Sequence, residues 1–204
     1  MKSFVKIIGE DYFFTAIPKN HPKIAPLAIK ELFPLCRVHS EAGIWQKLPL
    51  ELENASSFYL HQLLQEGPLV ISTYSPAWNE YGERHLKALN RLYPQLCKNG
   101  ANLVLLSTEY IKSSIYAIQE HGLMFNVLQD TNLRISEALG VYSEYEPVWD
   151  LVAGITEDVP YPATFIIGTD RRVLYHFISK DFEYIVPTKE IAQVVKATKA
   201  VSAK

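Results

Sequence analysis

The chain has 204 residues, with 20 lysines and arginines against 22 aspartates and glutamates and a formal net charge of −2. A charge so near zero argues against binding of nucleic acid or of an anionic membrane, because both need clustered positive charge. There is no run of about 18 apolar residues that would span a bilayer, and the N-terminal residues lack the unbroken apolar block of a secretory signal. We therefore expect one cytoplasmic domain, in which two cysteines, Cys36 and Cys97, do not form a disulfide framework.

The first 50 residues contain five prolines, which interrupt long regular elements. A short helix is predicted over 27–35, because its five apolar side chains fall at positions that can share a face. Residues 48–54 are predicted to form a strand. A turn is predicted at 54–57, and a second short strand or helical turn within 56–64.

From residue 67 onward, apolar runs alternate between strand and helix periodicity. Buried strands are predicted at 68–74 and 101–108, and a short strand or extended segment at 125–130. Helices are predicted at 79–98, 111–121 and 131–140, an antiparallel hairpin at 161–168 and 171–179, and a terminal helix from about 187–190. This order predicts an α/β fold with a mixed central sheet and helices on both faces, similar to the thioredoxin fold. We assign 46–200 to this domain and 1–45 to an N-terminal extension that packs on it.

The stretch GPLVISTYSPAWNEYGERHLKALNRLYPQL joins the first buried strand to the first long helix. It resembles the alkyl hydroperoxide reductase/thiol-specific antioxidant (AhpC/TSA) family, the redoxins or peroxiredoxin-like proteins. Similar members carry Trp-Cys-Pro-Tyr-Cys at the helix start, and this chain reads Trp78-Asn79-Glu80-Tyr81-Gly82. HGLMFNVLQDTNLRISEALGV and YPATFIIGTDRRVLYHF resemble later family segments in the same order. The resemblance implies a peroxiredoxin-like thioredoxin fold with a degenerate active site, since both cysteine positions hold other residues.

A cysteine at a helix N-terminus is activated because free N–H groups and the positive end of the helix dipole stabilise its thiolate. Asn79 occupies that place and is no nucleophile, so no catalytic residue is predicted. Its ordinary role would be to cap the helix through its side-chain oxygen. An anion bound to the free N–H groups is the alternative, which Glu80 and Glu83 oppose by their charge.

Aromatic residues are expected to converge at this helix start if the resemblance holds. The predicted binding cleft consists of Tyr74, Trp78, Asn79, Glu80, Tyr81, Gly82, Tyr161 and Pro162. The family resemblance also implies that the Tyr161–Pro162 peptide bond is cis and lies beside Asn79. Such a surface suits a protein partner, a small apolar ligand or a second copy of the chain, and ordinary core packing is the alternative.

Two functions follow from these observations. The first is a non-redox binding or interaction module that needs no cofactor and no metal; the six histidines include no pair with i, i+4 spacing. The second is a thiol-dependent peroxidase or disulfide oxidoreductase that uses Cys36, beside Arg37, or a thiol from a partner. Cys97 is the poorer candidate, because the C-terminal end of a helix dipole disfavours a thiolate.

Overall fold

A computed structural model of the chain describes residues 23–150 and 152–202. The strands are β1 Arg37–His39, β2 Gly43–Ile44, β3 Ser57–Tyr59, β4 Leu69–Tyr74, β5 Asn102–Ser107, β6 Asn126–Gln129, β7 Ala163–Ile167 and β8 Val173–Ile178. The α-helices are α1 Glu80–Lys98, α2 Ile111–His121, α3 Arg134–Ala138 and α4 Thr188–Ser202. The predicted strand and helix order from residue 67 onward is confirmed.

Six of the strands form one mixed sheet in the order β2-β6-β5-β4-β7-β8. The pairs β4–β5 and β5–β6 are parallel, whereas β7 runs antiparallel to both β4 and β8. Every residue of β4, β5 and β7 is buried, as expected for continuous apolar strands in the middle of a covered sheet. The α/β fold with a mixed central sheet is therefore confirmed.

Helix α1 packs on this sheet through a stripe of buried leucines at helical spacing, together with buried aromatic residues near its start. The stripe consists of Leu86, Leu89, Leu92 and Leu96. Asn99 and Gly100 end the helix as predicted: Gly100 has φ 77°, and the N–H of Ala101 donates to the carbonyl of Leu96 at 3.0 Å. The stripe fixes the rotation of α1, and with it the side chains that its first turn presents.

The helix predicted over 27–35 does not form. This stretch runs alongside the beginning of β8, where Lys30 N–H donates to the carbonyl of Val173 at 2.8 Å and Val173 N–H donates to the carbonyl of Glu31 at 2.9 Å. Leu32 and Leu35 are exposed, and Phe33 alone enters the core completely. Hydrogen bonding to the sheet edge therefore prevails over the local apolar pattern.

The strand predicted over 48–54 is also wrong, because residues 50–52 form a 3₁₀ turn. The short strand or helical turn predicted after it is confirmed by β3 and by the 3₁₀ helix at Leu60–Glu66. β1 and β3 pair as a separate two-stranded antiparallel sheet, while β2 pairs with β6 at one edge of the main sheet. Phe33, Val38 and Leu52 join the same core as the rest of the chain.

Candidate functional site

The candidate site lies where β4 ends and α1 begins. A single 3₁₀ turn, Pro76–Trp78, connects them. The turn is fixed by Ser75, whose side-chain oxygen accepts from Ala77 N–H at 3.2 Å and from the Thr108 hydroxyl at 2.9 Å. Proline at the first position of the turn needs no hydrogen-bond partner for its nitrogen. This arrangement delivers Trp78 and Asn79 to the N-terminal end of α1.

Asn79 occupies the N-cap position of α1 but does not cap the helix. Its backbone has φ 53° and ψ −130°, away from the extended conformation that a capping residue adopts. No side-chain hydrogen bond reaches the first turn of α1, and the amide Nδ2 instead donates to the carbonyl of Gly154 at 3.3 Å. The predicted cap is therefore wrong: Asn79 ties the helix start to the segment before β7.

Gly82 lies in the first turn of α1 and is buried against the preceding turn. A Cβ atom added there would lie 3.1 Å from the Ser75 carbonyl oxygen and 3.3 Å from Cε2 of Tyr74. Both contacts are tighter than ordinary van der Waals separation, so any larger side chain must displace a neighbour. The absence of a side chain at residue 82 lets α1 approach the end of β4 closely.

The four aromatic residues of the predicted cleft pack together with a fifth, Phe182. Trp78 is at the centre, with ring centroids 6.1 Å from Tyr74, 5.9 Å from Tyr81 and 5.8 Å from Phe182. Phe182 also lies 6.5 Å from Tyr161. We call these five residues the aromatic cluster. Its four predicted members are buried, with exposed fractions of 2–6%, whereas Asn79 and Glu80 are exposed.

Sequence reasoning missed Phe182. It lies in the irregular stretch between β8 and α4, where no periodicity marks a residue as buried. The only local signal is an aromatic side chain among charged neighbours, in Lys-Asp-Phe-Glu-Tyr.

The Tyr161–Pro162 peptide bond is trans, because the described residues contain no cis peptide bond. The predicted cis bond is therefore wrong. Thr73 holds the backbone on both sides of the bond: its hydroxyl donates to the Tyr161 carbonyl at 2.8 Å and accepts from Ala163 N–H at 2.8 Å. The Pro162 carbonyl accepts from Ser179 N–H at 2.9 Å. These bonds place Pro162 beside the end of β4 and satisfy the backbone in the trans form, which X-Pro bonds intrinsically prefer.

A buried polar group lies beneath the aromatic cluster. The Ser72 hydroxyl is 2.9 Å from His85 Nε2, 2.8 Å from the Thr164 hydroxyl and 3.1 Å from the Ala163 carbonyl. His85 is fully buried, and burial lowers its pKa to about 4. The imidazole is therefore neutral at neutral pH.

The phenols of the cluster are also held in their neutral form. Burial raises the pKa of Tyr74 to about 12, with a further contribution from the charge of Glu109. Burial raises the pKa of Tyr81 to about 12 as well. His85, Tyr74 and Tyr81 are therefore all uncharged at neutral pH.

Neither cysteine supplies an activated thiol at the helix start. Cys36 is half-buried, and burial together with the charge of Asp130 raises its pKa to about 11. The Arg37 guanidinium, expected to activate it, is hydrogen-bonded to the Ser57 hydroxyl at 2.9 Å and 3.2 Å. Cys97 is exposed in the last turns of α1, about 27 Å from residue 79 at the rise of an α-helix.

In the described parts of the chain, no group of three or more His, Cys, Asp or Glu side chains is arranged to hold a metal ion. None of the described helices has the length and apolar character that a bilayer crossing requires.

The mixed sheet and the strand–turn–helix at its centre define a peroxiredoxin-like protein of the thioredoxin fold. The chain belongs to the AhpC/TSA family, whose model matches residues 46–176. No curated protein sequence matches the chain significantly.

Solved peroxiredoxin structures share this fold at low sequence identity. The reduced 2-Cys peroxiredoxin of Plasmodium vivax has a TM-score of 0.64 at 13% identity, over 87% of this chain and 85% of its own. Enterococcus faecalis AhpC has a TM-score of 0.64 at 14% identity, over 87% and 95% of the two chains. The peroxidoxin BcpB of Mycobacterium tuberculosis has a TM-score of 0.60 at 18% identity, over 86% and 97%. At these identities the likeness establishes the fold alone.

Proposed function

We propose that this protein is a non-redox member of its family, a binding or interaction module that uses the start of α1. The observation that carries the proposal is the pair of residues there, Asn79 and Gly82. Neither can form a thiolate, and both peroxide reduction and disulfide exchange begin with one. The contacts around Gly82 also leave little room for a side chain at that position.

The exposed part of the site supports binding at its rim. Asn79 and Glu80 are exposed, while the aromatic cluster beneath them is packed and neutral. A protein partner, a small ligand or a second copy of the chain would contact these exposed groups first. We propose no cofactor, nucleic acid or membrane for this site, and we place the protein in the cytoplasm.

The alternative function is a thiol-dependent peroxidase or disulfide oxidoreductase that uses Cys36 or a thiol brought by a partner. Membership of the AhpC/TSA family favours it. The raised pKa of Cys36 argues against it, because only the thiolate attacks a peroxide or a disulfide.

Peroxide consumption separates the two functions. We expect no turnover above background with either thioredoxin or glutathione as reductant, and no sulfenic acid on either cysteine by mass spectrometry after peroxide treatment. Matched Cys36→Ser and Cys97→Ser variants serve as controls. Turnover that disappears in Cys36→Ser alone would establish the peroxidase in place of the binding module.

A capture experiment tests the binding function directly. Trp78 is almost fully buried, so its replacement would disturb the core, and the exposed pair Asn79→Ala/Glu80→Lys is the better probe. We expect wild type to capture a partner from host extract that this double variant loses. Glu53→Lys, an exposed charge reversal outside the proposed site, should retain it. Equal capture by all three proteins would place binding elsewhere on the molecule.

A further inference from the structure

Phe182 differs from the other members of the aromatic cluster in where it comes from. It belongs to the loop 179–187 between β8 and α4, and its ring lies 5.2 Å from Tyr81 and 5.8 Å from Trp78. Phe182 is half-buried, whereas Tyr81, Trp78 and Tyr161 are buried. The Phe182 ring therefore closes the cluster from the solvent side.

The backbone of Phe182 is in an unfavourable conformation. Its φ is 58°, in the left-handed region that bulky side chains rarely adopt. Lys180, Asp181, Glu183 and Tyr184 around it are exposed, so they bury little that would hold the loop in place. Residues 180–184 are held by the Phe182 ring, by the Tyr81 hydroxyl, which donates to the Tyr184 carbonyl at 2.8 Å, and by Asp181 Oδ1, which accepts from Glu183 N–H at 3.2 Å. The two ends of the loop are anchored by Ser179 N–H, which donates to the Pro162 carbonyl, and by the buried side chain of Val186. Side-chain contacts, and not backbone preference, keep Phe182 where it is.

One buried polar atom in the surrounding rings has no hydrogen-bond partner. This is Trp78 Nε1, whose side chain is 2% exposed. The indole nitrogen is only a donor, and a buried donor without an acceptor is disfavoured.

We propose that Phe182 is an internal plug in a ligand site formed by Trp78, Tyr81 and Tyr161. The ligand is a small planar aromatic molecule that carries a carbonyl oxygen. Its ring takes the place of the Phe182 ring, its oxygen accepts from the Trp78 indole N–H, and residues 180–184 move outward. This inference rests on the proposed binding function and names the class of ligand for it.

Benzamide is the probe, because it combines one aromatic ring with a carbonyl acceptor, and toluene is the matched ring without the acceptor. We expect wild type to bind benzamide weakly, with a shift of the Trp78 indole N–H signal in ¹H–¹⁵N spectra. Phe182→Ala should bind benzamide at least about tenfold more tightly, since the site no longer has to expel its plug. Tyr184→Ala, which removes an exposed ring from the same loop, should bind like wild type.

Three results would overturn the plug. The first is equal benzamide affinity in wild type and Phe182→Ala. The second is benzamide binding to Phe182→Ala and none to wild type, because such binding would occupy only the cavity that the substitution creates. The third is toluene binding to Phe182→Ala as tightly as benzamide. Should Phe182→Ala not fold, Phe182→Leu replaces it with an affinity expected between the two. Peroxide turnover would overturn the proposed function and leave these binding results standing, so the two failures are distinguishable.

Discussion

Single residues at the start of α1 hold it by contacts that a cysteine would not reproduce. Asn79 tolerates a positive φ better than most residues, and its amide donates to the carbonyl of Gly154. Gly82 gives room to the Ser75 carbonyl. Restoring cysteine at these positions therefore tests two different things, electrostatics at residue 79 and packing at residue 82.

Asn79→Cys should create a moderately activated thiol. The N-terminal end of α1 lowers its pKa below the usual value of about 8.5, while Glu80 and Glu83 oppose the shift. We expect a pKa between about 7 and 7.5, measured as alkylation rate against pH with Cys36 and Cys97 replaced by serine. Glu157→Cys, exposed in an irregular segment, is the control and should titrate near about 8.5. A pKa at or above that of the control would show that the helix end provides no stabilisation.

His85 should make the protein less stable in weak acid. Its pKa is about 4 in the folded protein and 6.5 in the unfolded chain, so the unfolded state takes up the proton first. The free energy of unfolding is therefore highest above about pH 6.5 and decreases as the pH falls towards 4. The expected decrease between pH 7 and pH 5 is about 2 kcal/mol. Urea unfolding at the two pH values measures it. His85→Gln should lose about 2 kcal/mol less over this range, and an unchanged pH dependence would contradict the prediction.

At the scale of elements, the edge of the main sheet depends on one buried asparagine. Asn126, in β6, accepts from the N–H groups of Gln46 and Lys47 at 2.8 Å and 2.9 Å. Its amide donates to the Lys47 carbonyl at 2.9 Å and to Asn102 Oδ1 at 3.0 Å. This network fixes the chain directly after β2, a strand of only two residues. Side-chain hydrogen bonds thus replace the strand pairing that β2 is too short to provide.

Asn126→Ala should cost about 2–4 kcal/mol of unfolding free energy, because it leaves buried backbone groups without partners. Chemical denaturation measures the loss. Asn132→Ala removes an exposed asparagine that accepts from Arg134 N–H at 3.5 Å, and it should change stability by less than about 0.5 kcal/mol. Similar losses in the two variants would mean that the network adds nothing to the sheet edge.

Across the whole molecule, one core unites parts of the chain that the sequence suggests are separate. Phe33 and Val38, from the stretch assigned to an N-terminal extension, are buried in the same cluster as β4 and α4. β2 pairs with β6 within the main sheet. The boundary between residues 45 and 46 stays a prediction, while the packing ties residues on both sides of it together.

Amide hydrogen exchange should reveal two levels of stability. β4, β5 and β7 are flanked by strands on both sides and fully buried, so their amides should exchange only through global unfolding. β1 and β3 form a sheet of two three-residue strands, which should open locally and exchange earlier. Equal protection in both sheets would show that they unfold as a single unit.

The sequence by itself determined the elements whose burial pattern is local. The continuous apolar runs of β4 and β5 and the leucine stripe of α1 need no distant partner to be recognised. Their order and the aromatic frame around residues 78–82 were enough for the fold and the family. These features are encoded between residues close together in the chain.

Tertiary structure decided what depends on a distant hydrogen-bond acceptor or a distant ring. Residues 27–35 form no helix because the chain at β8 offers backbone partners, and the Asn79 side chain bonds to Gly154, 75 residues away, and not to the helix. Thr73 bonds the backbone on both sides of the Tyr161–Pro162 peptide, and Phe182 fills a cluster formed by earlier elements. Local sequence patterns do not reveal such partners, because hydrogen bonds and ring contacts between distant residues form only when the chain has folded.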